Sequence, residues 1–159
     1  MSKKADKPIP EGMNTATVQL WFNGNCIQAV DFYKRAFNAK QIGEIAKGPD
    51  GNTVMHAMIK IGDSNIMLAD VWPGRYESGP KGTATASIYL YVEDCDKLYN
   101  QAKKAGCEVV DEMMDAFWGD RTGTVKDPYG HCWSIATLKW MFTPEEMAKG
   151  QEDWMKSMA

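Results

Sequence analysis

Apolar and polar positions alternate along several short runs of this chain and switch to helical spacing in between. Residues Thr15 to Phe22 alternate and predict a strand. Asn25 then offers a helix N-cap, with Gln28 completing a capping-box pattern. Ala29, Phe32, Tyr33, Ala36 and Phe37 recur at helical spacing and make one apolar face, and Asn38 is suited to close the helix in the left-handed conformation. Three strands are predicted next, over Gln41–Lys47, Thr53–Ile61 and Asn65–Asp70, separated by turns at 49–52 and 62–64.

The same order then recurs. Ala84–Val92 predicts a strand and Asp94 an N-cap, with Asp96 adding negative charge to the first turn. Cys95, Leu98, Tyr99, Ala102 and Ala105 form the second apolar helix face, and Gly106 ends it. Strands over Glu108–Met113, Thr122–Lys126 and Cys132–Thr137 complete the set. The chain therefore reads as an arm (1–14), a βαβββ module (15–70), a Gly/Pro-rich linker (71–83), a second βαβββ module (84–138) and an extension (139–159). The extension holds a strong helix start, Thr143-Pro144-Glu145-Glu146, followed by an apolar stripe of Met147, Gln151, Trp154, Met155 and Met158. Such a stripe packs on its own domain or clasps a second subunit.

Composition narrows the function. An apolar content of 44% is enough for a core, and 18 basic against 21 acidic residues leave a net charge of −3. No block of like charge is long enough for a nucleic-acid or membrane patch, and no run approaches the roughly 18 apolar residues of a membrane span. No apolar segment follows the Lys-rich start to make a signal peptide. The cysteines, Cys26, Cys95, Cys107 and Cys132, form no C-x-x-C pair and sit in apolar-patterned segments, as expected of reduced, buried thiols in a cytoplasmic protein.

The most informative stretch is Phe117 to Thr137, "FWGDRTGTVKDPYGHCWSIAT". Asp127-Pro128-Tyr129-Gly130 is a tight turn between two β-prone runs. This strand–DP-x-G–strand arrangement resembles the vicinal-oxygen-chelate superfamily, which includes glyoxalase I, extradiol dioxygenases and the fosfomycin- and bleomycin-resistance proteins. The fuller "FWGDR…G…DP-x-GH-x-W-x-IAT" is similar to its PhnB-like branch. The resemblance covers about Thr15 to Thr137. It implies an α+β fold in which two βαβββ modules form a curved, mostly antiparallel eight-stranded sheet around a cavity, with a homodimer as the assembly.

Relatives that bind a metal take a His or Gln from the first strand of each module and a Glu from the last. Carried over on the helix start and the DP-x-G turn, those positions fall at Thr17, Met67, Ser87 and Ser134, with Gln19 the one nearby donor. Hydroxyls and a thioether do not hold a divalent ion, so the resemblance here implies no metal cofactor. Strand parity points Thr17, Gln19 and Trp21, and Ser87, Tyr89 and Tyr91, to the cavity side, away from the helices. Aromatic-lined concave sites suit flat, apolar ligands.

The expected binding residues are Gln19, Trp21, His56, Tyr89, Tyr91, Phe117, Trp118, Arg121 and Ser134, with Arg121 as a clamp for an anionic group. The expected function is glyoxalase/bleomycin-resistance-like binding of a small aromatic or amphipathic molecule. The alternative is a metal-dependent lyase, isomerase or dioxygenase with displaced ligands, His56 with Gln19 and Asp70. A third reading is a structural or regulatory module with its cavity filled by its own side chains. Each isolated polar residue also has a plainer role: His56 as a strand-end contact, His131 as a turn stabiliser, and Arg121 in an ion pair fixing the loop before its strand.

Overall fold

The computed structural model describes residues 1–159. It has three helices and nine strands: β1 (Gln19–Phe22), α1 (Cys26–Phe37), β2 (Lys40–Gln41), β3 (Ala46–Lys47), β4 (Val54–Ile61), β5 (Ser64–Asp70), β6 (Ser87–Tyr91), α2 (Cys95–Ala105), β7 (Glu108–Asp115), β8 (Asp120–Lys126), β9 (Cys132–Leu138) and α3 (Pro144–Ser157). The chain divides into two compact units, Met1–Pro80 and Lys81–Ala159, and the boundary falls within the Gly/Pro-rich linker.

In the first unit the strand order is β1-β5-β4-β2, with β3 also pairing with β4. In the second it is β6-β9-β8-β7. Each unit thus places its first strand parallel to its last, β1 on β5 and β6 on β9, and runs the remaining pairs antiparallel. The shared order is the duplication read from the pattern, expressed as topology. It is an α+β fold of glyoxalase type with a C-terminal helix. The strands are hydrogen-bonded as two sheets, one per unit.

The helices form where the apolar periodicity puts them. Ala29, Phe32, Tyr33, Ala36 and Phe37 of α1 are all buried, as are Ala57, Ile59 and Leu68 on the strands beneath. Tyr33 stacks on Phe37 at 5.8 Å and meets Phe22 at 6.3 Å. Burying each such ring contributes roughly 1.5–3 kcal/mol. Asn38 closes α1 at φ 56°. In α2, Cys95, Leu98, Tyr99 and Ala102 are buried and Ala105 is half-buried. Asp94 caps the helix by accepting from the Lys97 N–H.

Several local expectations change. Asn25 makes no side-chain cap on α1. Its place is taken from across the sheet by Asp70, at the end of β5. The Gly24 and Cys26 N–H groups donate to Asp70 Oδ1 at 2.9 and 3.1 Å, and the Val54 N–H donates to Oδ2 at 2.9 Å. The second unit does the same job with Thr137, whose Oγ1 accepts from the Cys95 N–H at 3.0 Å and donates to the Val92 carbonyl at 2.7 Å. The strand expected over Gln41–Lys47 is broken into β2 and β3, because Gly43 turns at φ 68° and the Gln41 side chain donates to its carbonyl. β1 is shorter than its alternating pattern. Its ladder begins where the Met67 N–H reaches the Val18 carbonyl, and the Thr17 hydroxyl instead donates to the Asn14 carbonyl.

The DP-x-G turn is held by a second buried carboxylate. Asp127 Oδ1 accepts from the Tyr129 and His131 N–H groups at 2.9 and 3.0 Å, and Oδ2 accepts from Trp133 Nε1 at 2.9 Å. This bond fixes the fully buried Trp133 as the anchor of the second core. The helix start at Thr143 is a complete capping box with Pro at the first turn.

Candidate functional site

β8 begins two residues before its expected start, and that extension organises the site. It brings Asp120 into register with Thr122 and Thr124 on one face, and Arg121 with Gly123 and Val125 on the other. Asp120 and Thr122 are buried, at 1% and 8% exposure. Three donors converge on one oxygen of Asp120: Trp118 Nε1 at 2.8 Å, the Tyr91 hydroxyl at 2.9 Å and the Tyr89 hydroxyl at 3.1 Å. Tyr89 and Tyr91 come from β6, and Trp118 from the turn before β8. The two phenol rings lie 5.1 Å apart. The hydrogen bond to Asp120, then burial, raises the Tyr91 phenol above its ordinary value. Burial is the largest cause of the same rise in Tyr89.

A row of hydroxyls continues along the same face. Ser134 on β9 lies opposite Tyr89 in the parallel ladder. Its Oγ is 3.2 Å from Ser87 Oγ and 3.1 Å from Thr124 Oγ1. Of the residues expected at the site, Tyr89, Tyr91, Trp118 and Ser134 therefore occupy one sheet face. Asp120, Thr122 and Thr124 join them. Their signal was present in the sequence: alternation from Thr122 carried back two residues reaches Asp120.

Phe117 turns another way. It packs edge-on against Trp118 at 5.0 Å and faces Trp154 of α3 at 6.0 Å. With Trp140, Phe142, Glu146 and Gly150 it lines a groove of about 360 Å³ under α3. Gly150 fits there because a Cβ would come within 2.9 Å of Phe117 Cβ.

Arg121 is a correction. It faces the helix side of β8, where Nε and Nη2 grip both oxygens of Asp96 at 2.7 and 2.8 Å, and Nη1 reaches Asp115 at 3.3 Å. It ties α2 to the sheet, and Asp96 is held below the ordinary carboxylate range by that hydrogen bond. The plainer ion-pair role describes it, and it is no anion clamp on the aromatic face.

In the first unit, Gln19 lies opposite Met67, and Met67 opposite Met58. Parity puts Gln19, Trp21 and His56 on this same face, opposite α1. Gln19 and His56 are exposed. Trp21 is half-buried under the guanidinium of Arg75, which sits 5.4 Å from its ring while forking onto Glu77 at 2.7 and 2.9 Å.

The metal that the resemblance suggests in some relatives finds a poor fit. The first and last strands offer Gln19 and Met67 in one unit, and Ser87, Tyr89 and Ser134 in the other. No group of three or more His, Cys, Asp or Glu gathers to hold an ion. Asp70, part of the alternative ligand set, is committed to three backbone N–H groups. An amide, a thioether and neutral hydroxyls do not supply the donors a divalent ion requires.

Comparison with known proteins agrees with this architecture. The family model for the Glyoxalase/Bleomycin resistance protein/Dioxygenase superfamily matches residues 20–135. An uncharacterized Mycobacterium bovis protein, Mb0911c, is 40% identical over 112 residues, covering 67% of this chain and 72% of its own. A Bacillus cereus structure described as a putative 3-demethylubiquinone-9 3-methyltransferase, PhnB protein, superposes with a TM-score of 0.62 at 18% identity, over 78% of this chain and 99% of that one. The fosfomycin resistance protein FosX from Listeria monocytogenes, solved with Mn(II) and sulfate, gives 0.58 at 17% identity, over 86% of this chain and 95% of its own. At those identities the structures show the shared fold. The duplicated topology, the DP-x-G turn and the family match together place this chain in the glyoxalase/bleomycin resistance/dioxygenase family of the vicinal-oxygen-chelate superfamily, with PhnB-like proteins among its structural neighbours.

Proposed function

We propose that this protein binds a small aromatic or amphipathic molecule, without a metal, on the face formed by Tyr89, Tyr91 and Trp118. The observation that carries the reading is the set of three polar-tipped aromatic rings anchored on one buried carboxylate. Each ring is partly exposed, at 41%, 64% and 40%, while its polar tip is fixed. Rings held in this way present π-faces to a ligand at little further entropic cost.

The same reading takes the working form as a homodimer in the cytoplasm. Exposed Trp140, Met141, Trp154, Met155 and Met158 support a second copy as a partner, and four free cysteines support a reducing setting. No helix is long and apolar enough to cross a membrane.

The test is elemental analysis of untagged protein incubated with Ni²⁺, Zn²⁺, Mn²⁺ and Fe²⁺, with calorimetric titration of chelator-treated protein by 2-naphthylmethanol. The expected result is no stoichiometric metal and saturable binding. Retention of about one ion per subunit, lost in His56→Ala, would instead establish the metal-dependent lyase, isomerase or dioxygenase reading.

A further inference from the structure

The hydrogen-bond polarity of the Asp120 cluster selects among aromatic ligands. We infer that this face recognises the cationic, hydrogen-bond-donating end of its ligand, an aromatic ammonium or amidinium group. The inference rests on the binding role proposed above and adds the ligand's charge and polarity.

A phenol has one proton to donate. Tyr89 and Tyr91 each direct theirs to Asp120 Oδ2, and Trp118 directs its only N–H to the same atom. That oxygen is fully occupied as an acceptor, and each of the three donors is spent on it. Both phenol oxygens can therefore only accept from a ligand. The Tyr89 hydroxyl also points to Thr122 Oγ1 at 3.3 Å, a longer contact than its bond to Asp120. Tyr91, 64% exposed, is the more accessible of the two phenols.

Charge points the same way. The donors on Asp120 are all neutral, and none of the chain's ion pairs includes it. Arg121, next in sequence, is turned to the helix side and matched by Asp96 and Asp115. Lys126 shares the face by parity, but sits at the far end of β8 and pairs with Glu108 at 3.0 Å. The carboxylate's field therefore emerges through two phenol rings and an indole, whose faces themselves attract cations. An anion at the same place would meet a like charge, with both phenol protons and the indole N–H already turned to Asp120.

The test uses three probes with one ring system: 2-naphthylmethylammonium, 2-naphthylmethanol and 2-naphthylacetate. Affinities are measured by calorimetry on the full chain at physiological ionic strength. The ammonium is expected to bind at least tenfold tighter than the acetate, with the alcohol between them. Asp120→Asn should reduce that preference at least tenfold, with alcohol binding reporting separately on the placement of the rings. Tyr91→Phe, which removes one phenol oxygen from this face, should weaken the ammonium more than it weakens the acetate. Equal affinities, or a preference for the acetate, would overturn the inference and leave the binding role standing. An unchanged preference in folded Asp120→Asn or in Tyr91→Phe would also overturn it. Failure of all three probes to bind would remove both.

Discussion

Replacing Asp70 by Ala is the sharpest probe of how the first unit is held together. The side chain is 1% exposed and its two oxygens accept three backbone N–H groups. Cys26 and Val54, which supply two of those donors, are themselves 0% exposed, so water cannot replace the carboxylate there. Gly24 is exposed, and its N–H can turn to solvent. Two stranded buried donors cost about 1–3 kcal/mol each, and with the lost charge-assisted bonds the total is roughly 3–5 kcal/mol. That is a large share of the 5–15 kcal/mol or so that holds a typical domain folded.

The second unit provides the internal control. Thr137→Val removes the equivalent cap on α2, which is one neutral acceptor, and should cost about 1–2 kcal/mol. Urea unfolding followed by far-UV circular dichroism and tryptophan fluorescence measures both variants. Amide hydrogen exchange should show protection lost at Cys26 and Val54 in Asp70→Ala. A loss under 1 kcal/mol for Asp70→Ala, or one no greater than that of Thr137→Val, would refute the reasoning.

Two further outcomes follow from the electrostatics. Arg121→Met should lower stability by about 1 kcal/mol, because its pairs with Asp96 and Asp115 are partly exposed, and should leave naphthalene binding unchanged; a tenfold loss of binding would contradict its placement on the helix side. Stability should also decline in alkali. Burial, then the charge of Asp70 or Asp127, pushes the Cys26 and Cys107 thiols up from 9.0 to about 12, and burial, then a hydrogen bond to Glu112, lifts the Tyr99 phenol from 10.0 to about 12. Below pH 9 these groups are protonated in both states and stability is independent of them. Between pH 9 and 12 the unfolded thiols ionise first, so each group removes up to about 1.4 kcal/mol per pH unit. Urea midpoints at pH 8 and 10.5 check the sign, and a flat or rising trend would refute it.

What the sequence determined by itself was what neighbours along the chain decide. The apolar faces of α1 and α2, the strand parity of β1, β6 and β9, the capping box at Thr143 and the DP-x-G turn all depend on spacing of a few residues, and 3.6- and 2-residue periods encode them directly. The doubled βαβββ order was legible for the same reason. Tertiary structure decided what depends on partners far apart in sequence. Asn25 is a good N-cap residue, yet Asp70 reaches the same N–H groups from another strand with a full charge, and the stronger acceptor prevails. Arg121 beside two aromatic residues reads as a site clamp. Two extra residues of β8 pairing with β9 set its parity and send it to Asp96 instead. The same two residues put Asp120 under Tyr89, Tyr91 and Trp118. Convergence of three side chains, two from one strand and one from a turn, on a carboxylate oxygen of a second strand is a property of sheet registration, and no local pattern in the chain records it.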